Sequence, residues 1–213
     1  MKKIRVLLAD DHKIILEGLR SILEPEFEII ATVEDGRTLV AEAKRLSPDG
    51  VVADISMPGL NGIDAARQVR EVEQDIKIVF LTMHSQVSYA ASAFEVGASG
   101  FVLKHSAPQE LITAIRETMQ GRTYVTPMIA GDLIDFYQHG SVQHGELKPA
   151  LSPRQREVLQ LLVEGKSAKE IAAVLNISAR TVEFHKYRIM EQLKTKSNAD
   201  LIQYALKLGL ASL

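Results

Sequence analysis

Apolar residues over the first 120 positions fall into two alternating patterns. Nearly unbroken apolar runs occupy residues 4–9, 27–32, 51–54, 76–82 and 100–103. Between them, residues 13–23, 38–46, 63–72, 87–95 and 108–120 carry apolar positions at helical spacing. The first of these places Ile14, Ile15, Leu19, Ile22 and Leu23 on one face. Strands that are apolar on both sides belong to a parallel sheet covered by helices. Five strand-and-helix units therefore predict a doubly wound α/β domain over residues 1–120, with any site at the carboxyl ends of the strands.

The pattern changes after residue 120. Gly121, Pro127, Gly131, Gly140, Gly145 and Pro149 punctuate residues 121–148, which read as a linker in which 128–137 has the composition for a short helix. The stretch from His139 to Gly145 has no apolar periodicity and reads as flexible. Residues 149–213 then read as a small all-α domain of four helices. Ser152-Pro153-Arg154-Gln155 and Ser167-Ala168-Lys169-Glu170 are capping boxes, and Gly165 stops the first helix. Asn176-Ile177-Ser178 makes a tight turn, Ser178 caps a helix to about Leu193, and a fourth helix over 198–208 ends at Gly209.

Charge sharpens this division. Residues 150–213 carry 10 Lys/Arg and 6 Asp/Glu, a net of +4, whereas residues 1–149 carry 15 and 21, a net of -6. An acidic part joined to a basic part points to nucleic acid as a partner of the second only. Cysteine is absent, which excludes disulfide and thiolate-metal frameworks and fits a reducing cytoplasm. Asp10 and Asp11 interrupt the first apolar run far too early for a secretory signal. No stretch reaches the ~20 apolar residues of a membrane span, so a cytoplasmic protein with no membrane partner is expected.

In the expected fold, Asp10 and Asp11 follow the first strand, Asp54 ends the third, Thr82 ends the fourth and Lys104 follows the fifth. All five gather at one sheet edge. Any one of them alone reads as a turn, cap or solvated residue; together they suit phosphoryl transfer. Clustered carboxylates call for a cation, and oxygen ligands suit Mg2+. Asp54 is the candidate nucleophile and phosphoacceptor, with Lys104 and the Thr82 hydroxyl placed to bond phosphoryl oxygens.

These residues sit in Leu8-Ala9-Asp10-Asp11-His12, Asp54-Ile55-Ser56-Met57-Pro58-Gly59-Leu60-Asn61-Gly62, Leu81-Thr82 and Gly97-Ala98-Ser99-Gly100-Phe101-Val102-Leu103-Lys104. In order and spacing they closely resemble the receiver family of two-component response regulators. The resemblance implies a flavodoxin-like five-stranded sheet of order 2-1-3-4-5 and phosphorylation by a sensor histidine kinase. It implies Mg2+ ligation by Asp11, Asp54 and the Ser56 carbonyl, with Asp10 acting mainly through water. Phe101 and Thr82 fall at the family's switch positions, although Phe101 reads equally as a core aromatic. Met83, His84 and Ser56 occupy positions that influence phosphoryl lifetime in the family.

In the second domain, advancing 100° per residue from Val182 puts Ile189, Leu193 and the Lys186 stem inside. Glu183, Phe184, Tyr187, Arg188 and Glu191 then point outward. Two outward aromatics are unusual for a solvated helix but suit a major groove, where they touch thymine methyls. Arg180, Lys186, Arg188, Lys194 and Lys196 are placed to meet phosphates, as are backbone amides at the helix start near Ser178 and Thr181. The competing reading is a helical protein-interaction domain with a scattered basic surface.

The segments Leu151–Leu159, Glu164-Gly165-Lys166-Ser167-Ala168-Lys169-Glu170-Ile171-Ala172 and Ile177-Ser178-Ala179-Arg180-Thr181-Val182-Glu183-Phe184-His185 resemble the LuxR-type helix-turn-helix. With the receiver, the whole chain is similar to the NarL/FixJ class. That resemblance implies a transcriptional regulator binding double-stranded promoter DNA, with a homodimer on phosphorylation. Glu183 and Tyr187 stand where several relatives carry basic residues, which leaves base preference open. An enzyme is disfavoured: Ser56 occupies the place of the second acid of aspartyl phosphatases, and no phosphate-binding glycine loop is present.

Overall fold

The apolar runs pair as parallel strands because both their faces need covering. β1 (Arg5–Ala9), β2 (Glu28–Val33), β3 (Gly50–Ala53), β4 (Lys77–Thr82) and β5 (Gly100–Leu103) lie in the expected order β2-β1-β3-β4-β5. The computed structural model describes residues 3–106, 108–143, 151–195, 197–207 and 210. The side-chain period of two splits the core. Leu7, Ala9, Ile78, Phe80, Phe101 and Leu103 enter one cluster, while Val6, Leu8, Val79, Leu81 and Val102 enter the other. The helices α1 (Lys13–Leu23), α2 (Gly36–Leu46), α3 (Gly62–Val72), α4 (Val87–Glu95) and α5 (Pro108–Met119) cover the two faces.

The segment after residue 120 differs from the linker expected there. A further short strand, β6 (Tyr124–Val125), pairs with β5 and makes the sheet six-stranded. A helix, α6 (Pro127–Gln143), runs past Tyr137 into the stretch read as flexible. Ile129 and Leu133 of α6 are buried in the cluster that contains Phe101, Ala90 and Ala93. Glycines that suggested a linker are tolerated because burial of one apolar stripe outweighs their cost, about 1 kcal/mol each. Positions 144–148, read as linker, and 149–150, read as the start of the second domain, lie outside the described residues.

The C-terminal part forms α7 (Pro153–Val163), α8 (Ala168–Leu175), α9 (Ala179–Leu193) and α10 (Asn198–Lys207) around a third cluster that includes Val158, Leu161, Ile171, Val182, Ile189 and Leu201. Both capping boxes form, at Ser152/Gln155 and Ser167/Glu170. Asn176 ends α8 in the left-handed region with φ 52°. That reversal, followed by the Ser178 cap of α9, produces the helix-turn-helix. The expected stop at Gly209 lies outside the described residues.

If α6 belongs to the first domain's core, truncating its buried residues must destabilise that domain. Ile129→Ala and Leu133→Ala are each expected to cost about 2–5 kcal/mol in denaturant unfolding of residues 1–143. A loss under ~0.5 kcal/mol, typical of surface substitutions, would mean that α6 is merely appended.

Candidate functional site

Strand register assembles the acidic edge. Ala9 is aligned with Ala53 and Thr82 with Leu103, so Asp10, Asp54, Thr82 and Lys104 emerge together. The start of α3 is pressed against this edge: a Cβ on Gly62 would lie 2.0 Å from the Asp54 carbonyl oxygen, so only glycine fits.

Asp10 and Asp54 are buried, and Lys104 bridges them. Its Nζ lies 2.6 Å from Asp10 Oδ2 and 2.8 Å from Asp54 Oδ2. Burial alone disfavours the ammonium, but its hydrogen bonds and charge interactions with the two carboxylates outweigh that and hold its pKa above the ordinary lysine value. The other Asp54 oxygen, Oδ1, accepts from the Ile55 amide at 2.7 Å.

Asp11 is more exposed and pairs with His12 Nδ1 at 2.8 Å. Among the described residues, the trio whose ligand atoms lie within 4.8 Å of one another is Asp10, Asp11 and His12. Asp54 is not in that trio; its oxygens are engaged by Lys104 and the Ile55 amide. His12 was not singled out from the sequence, because a lone histidine at a helix start carries no distinctive signal.

Thr82 is fully buried, and its hydroxyl accepts from the His84 amide at 3.3 Å. The Ser56 hydroxyl lies 2.7 Å from His84 Nε2, and the His84 ring stacks on Tyr89 with centroids 4.1 Å apart. Burial pushes the His84 pKa down; Lys104 acts in the same direction and Asp54 opposes it. Phe101 is fully buried on β5.

On α9, Val182 and Ile189 are buried while Phe184 and Tyr187 are 59% and 65% exposed. Glu183, Arg180 and Lys194 are also exposed, and Lys186 is half-buried, as helical spacing predicted. The cap expected at the start of α9 forms. The Ser178 hydroxyl is engaged in capping, accepting from the Thr181 amide at 3.0 Å and lying 2.8 Å from the Thr181 hydroxyl. Arg188 is paired with Glu191 at 3.1 Å. Lys196 lies outside the described residues.

Residues 6–116 match the response regulator receiver domain family, and residues 149–205 match the bacterial regulatory proteins of the luxR family. The chain is a response regulator of the NarL/FixJ class. This response regulator is 32% identical to the transcriptional regulatory protein DegU of Brevibacillus brevis, over 97% of this chain and 94% of that protein. It is 34% identical to the oxygen regulatory protein NreC of Staphylococcus carnosus, over 95% and 97% respectively. A solved structure of the RcsB response regulator of Salmonella typhimurium superposes with a TM-score of 0.66 at 27% identity, covering 98% of this chain and 99% of that one. The family is one of transcription regulators rather than of enzymes. Among the described residues, no helix of the response regulator is long and apolar enough to cross a membrane.

Lys104 neutralises two buried carboxylates at once. Lys104→Met removes the cation and leaves both unpaired, so the receiver is expected to lose about 3–5 kcal/mol near neutral pH. Because the Lys104 pKa is raised, its contribution is present at neutral pH and lost as pH rises through that raised pKa, so thermal unfolding should show the variant's deficit shrinking toward high pH. A loss independent of pH would mean that packing of the lysine stem is what matters.

Proposed function

We propose that this response regulator accepts a phosphoryl group on Asp54 from a sensor histidine kinase and, as a dimer, binds double-stranded promoter DNA through α9 in the cytoplasm. The observation that carries the reading is the union in one chain of the Lys104-bridged Asp10–Asp54 pair with a helix presenting two exposed aromatics. Solved structures support the second half: one described as two RcsB dimers bound to two parallel DNAs superposes on 97% of this chain with a TM-score of 0.60 at 27% identity.

The donor set fits Mg2+. Asp10, Asp11, Asp54 and the Ser56 carbonyl offer oxygens only, and the single Lys104 charge does not neutralise three carboxylates. Bound Mg2+ supplies charge neutralisation at the phosphoryl oxygens. An Asp54 carboxylate oxygen forms the bond to phosphorus while the bond from phosphorus to the donor histidine nitrogen breaks. Lys104 then moves its hydrogen bond from Asp54 to a phosphoryl oxygen. The Thr82 hydroxyl donates to another, and Thr82 and Phe101 serve as the switch residues.

At the DNA, Glu183, Phe184 and Tyr187 face the base edges, and glutamate accepts from a cytosine amino group. Arg180, Lys186, Arg188 and Lys194 hold phosphates, together with the amides beside Ser178 and Thr181 at the helix start.

Two experiments test this reading. Acetyl phosphate with Mg2+ is expected to shift the protein in phosphate-affinity electrophoresis, and Asp54→Ala or removal of Mg2+ to abolish the shift; a shift persisting in Asp54→Ala overturns the assignment. In DNA binding, Arg180→Ala is expected to weaken all sequences alike and reduce the salt slope by about one. Glu183→Lys is expected to raise non-specific affinity and lower discrimination at one base pair by about 1–3 kcal/mol. Site selection with an unchanged preferred sequence would leave Glu183 only a stabilising role at the helix N-terminus.

A further inference from the structure

The imidazole of His84 is held from two directions. Its Nε2 lies 2.7 Å from the Ser56 hydroxyl, and its ring stacks on Tyr89 with centroids 4.1 Å apart and planes 4° from parallel. Ser56 lies just beyond the end of β3 and His84 just beyond the end of β4. The ring therefore spans the gap between two neighbouring strand ends, beside the Asp54 carboxylate. Met83, between Thr82 and His84, is exposed, so water reaches this side of the site.

Tyr89 owes its place to α4. It is the third residue of that helix, and its amide donates to the Gln86 carbonyl at 3.0 Å. Ala90, Ala91 and Ala93 are buried in the cluster that contains Phe80 and Phe101, which holds α4 close to the sheet. A helical side chain points back towards the helix N-terminus, and this carries the Tyr89 ring over the 83–86 turn and onto His84. Ser56, His84 and Tyr89 are each half-buried. A hydrogen bond between half-buried side chains has a small net worth, because water competes for both partners. The stack adds a comparable contribution and restricts the imidazole to one orientation. Neither contact alone fixes the ring; the two together do.

The phosphorylation chemistry described above leaves Tyr89 without a role. Loss of the phosphoryl group supplies one. A water oxygen forms a bond to phosphorus while the bond from phosphorus to the Asp54 oxygen breaks, and the water's proton leaves with the inorganic phosphate. An imidazole nitrogen free to accept a hydrogen bond from that water speeds the step. The Nε2 nitrogen of His84 is not free, because it is committed to Ser56. We propose that Tyr89 is a positioning residue that prolongs the life of the phosphoryl group: its ring keeps His84 on Ser56 and away from the attacking water. This rests on the reading of Asp54 as the phosphoacceptor.

The full chain is phosphorylated with acetyl phosphate and Mg2+, the donor is removed, and the decay of the phosphorylated band is followed by phosphate-affinity electrophoresis. Tyr89→Leu removes the stack and is expected to shorten the lifetime about tenfold, less than the ~100-fold of a base fixed in place, since the freed ring is mobile. Tyr89→Phe keeps the ring and loses only the hydroxyl, which reaches the Leu206 carbonyl at 3.4 Å, so it is expected to restore the long lifetime. In a His84→Ala background, adding Tyr89→Leu is expected to change nothing further, because Tyr89 acts through the imidazole; a general loosening of α4 would shorten the lifetime in both backgrounds. The proposal is overturned by an unchanged or longer lifetime in Tyr89→Leu, by a short lifetime in Tyr89→Phe, or by an effect of Tyr89→Leu that persists without His84. If the wild type takes up no phosphoryl group, or Asp54→Ala takes one up, the reading of Asp54 fails instead.

Discussion

Lys104 between Asp10 and Asp54 is the interaction around which the first domain is arranged. Two carboxylates buried side by side repel, and the ammonium between them offsets that repulsion. The lysine comes from the end of β5, two strands away from β3, so the pairing is made only when the parallel sheet is complete. The strands are rigid and apolar, and they fix the three groups to within hydrogen-bond distance. A site so constructed is sensitive to added charge, since Lys104 must divide its hydrogen bonds among the negative groups beside it.

The same edge is in contact with the rest of the molecule on two sides. Next to β4, the Ser56–His84 hydrogen bond and the His84–Tyr89 stack connect the site to α4, and Tyr89 Oη reaches the Leu206 carbonyl of α10 at 3.4 Å. Above β3, α7 supplies hydrogen bonds to the 55–61 loop. The DNA-binding domain is thus tied to the receiver by polar contacts beside Asp54 and the 55–61 loop. Polar interfaces of this kind suit a reversible association, because water can replace each hydrogen bond at small net cost.

α6 has a different character. Its contact with the receiver is apolar, through Ile129 and Leu133, and it packs beside α4. Apolar packing on the receiver core therefore continues through α6, well beyond residue 120. Exposing this apolar contact would carry a transfer cost.

The sequence by itself determined the elements whose signals are local. Unbroken apolar runs and helical spacing identified the five principal strands and their helices. The charged residues at the strand ends pointed to the edge where Asp10, Asp54 and Lys104 come together, and the Ser152, Ser167 and Ser178 caps identified the starts of α7, α8 and α9. Helical geometry alone turned Phe184 and Tyr187 outward. Tertiary structure decided what satisfies a group whose partner is distant in the chain. Nothing local marks Glu157, Gln160 and Glu164 as receiver-facing, because a polar side chain looks the same in sequence whether water or a distant loop bonds it. The glycines near residue 131 read as a linker because their weak helix propensity is local, whereas the burial of Ile129 and Leu133 that overrides it depends on the completed sheet and α4. His12 joined Asp10 and Asp11 only through the close turn between β1 and α1.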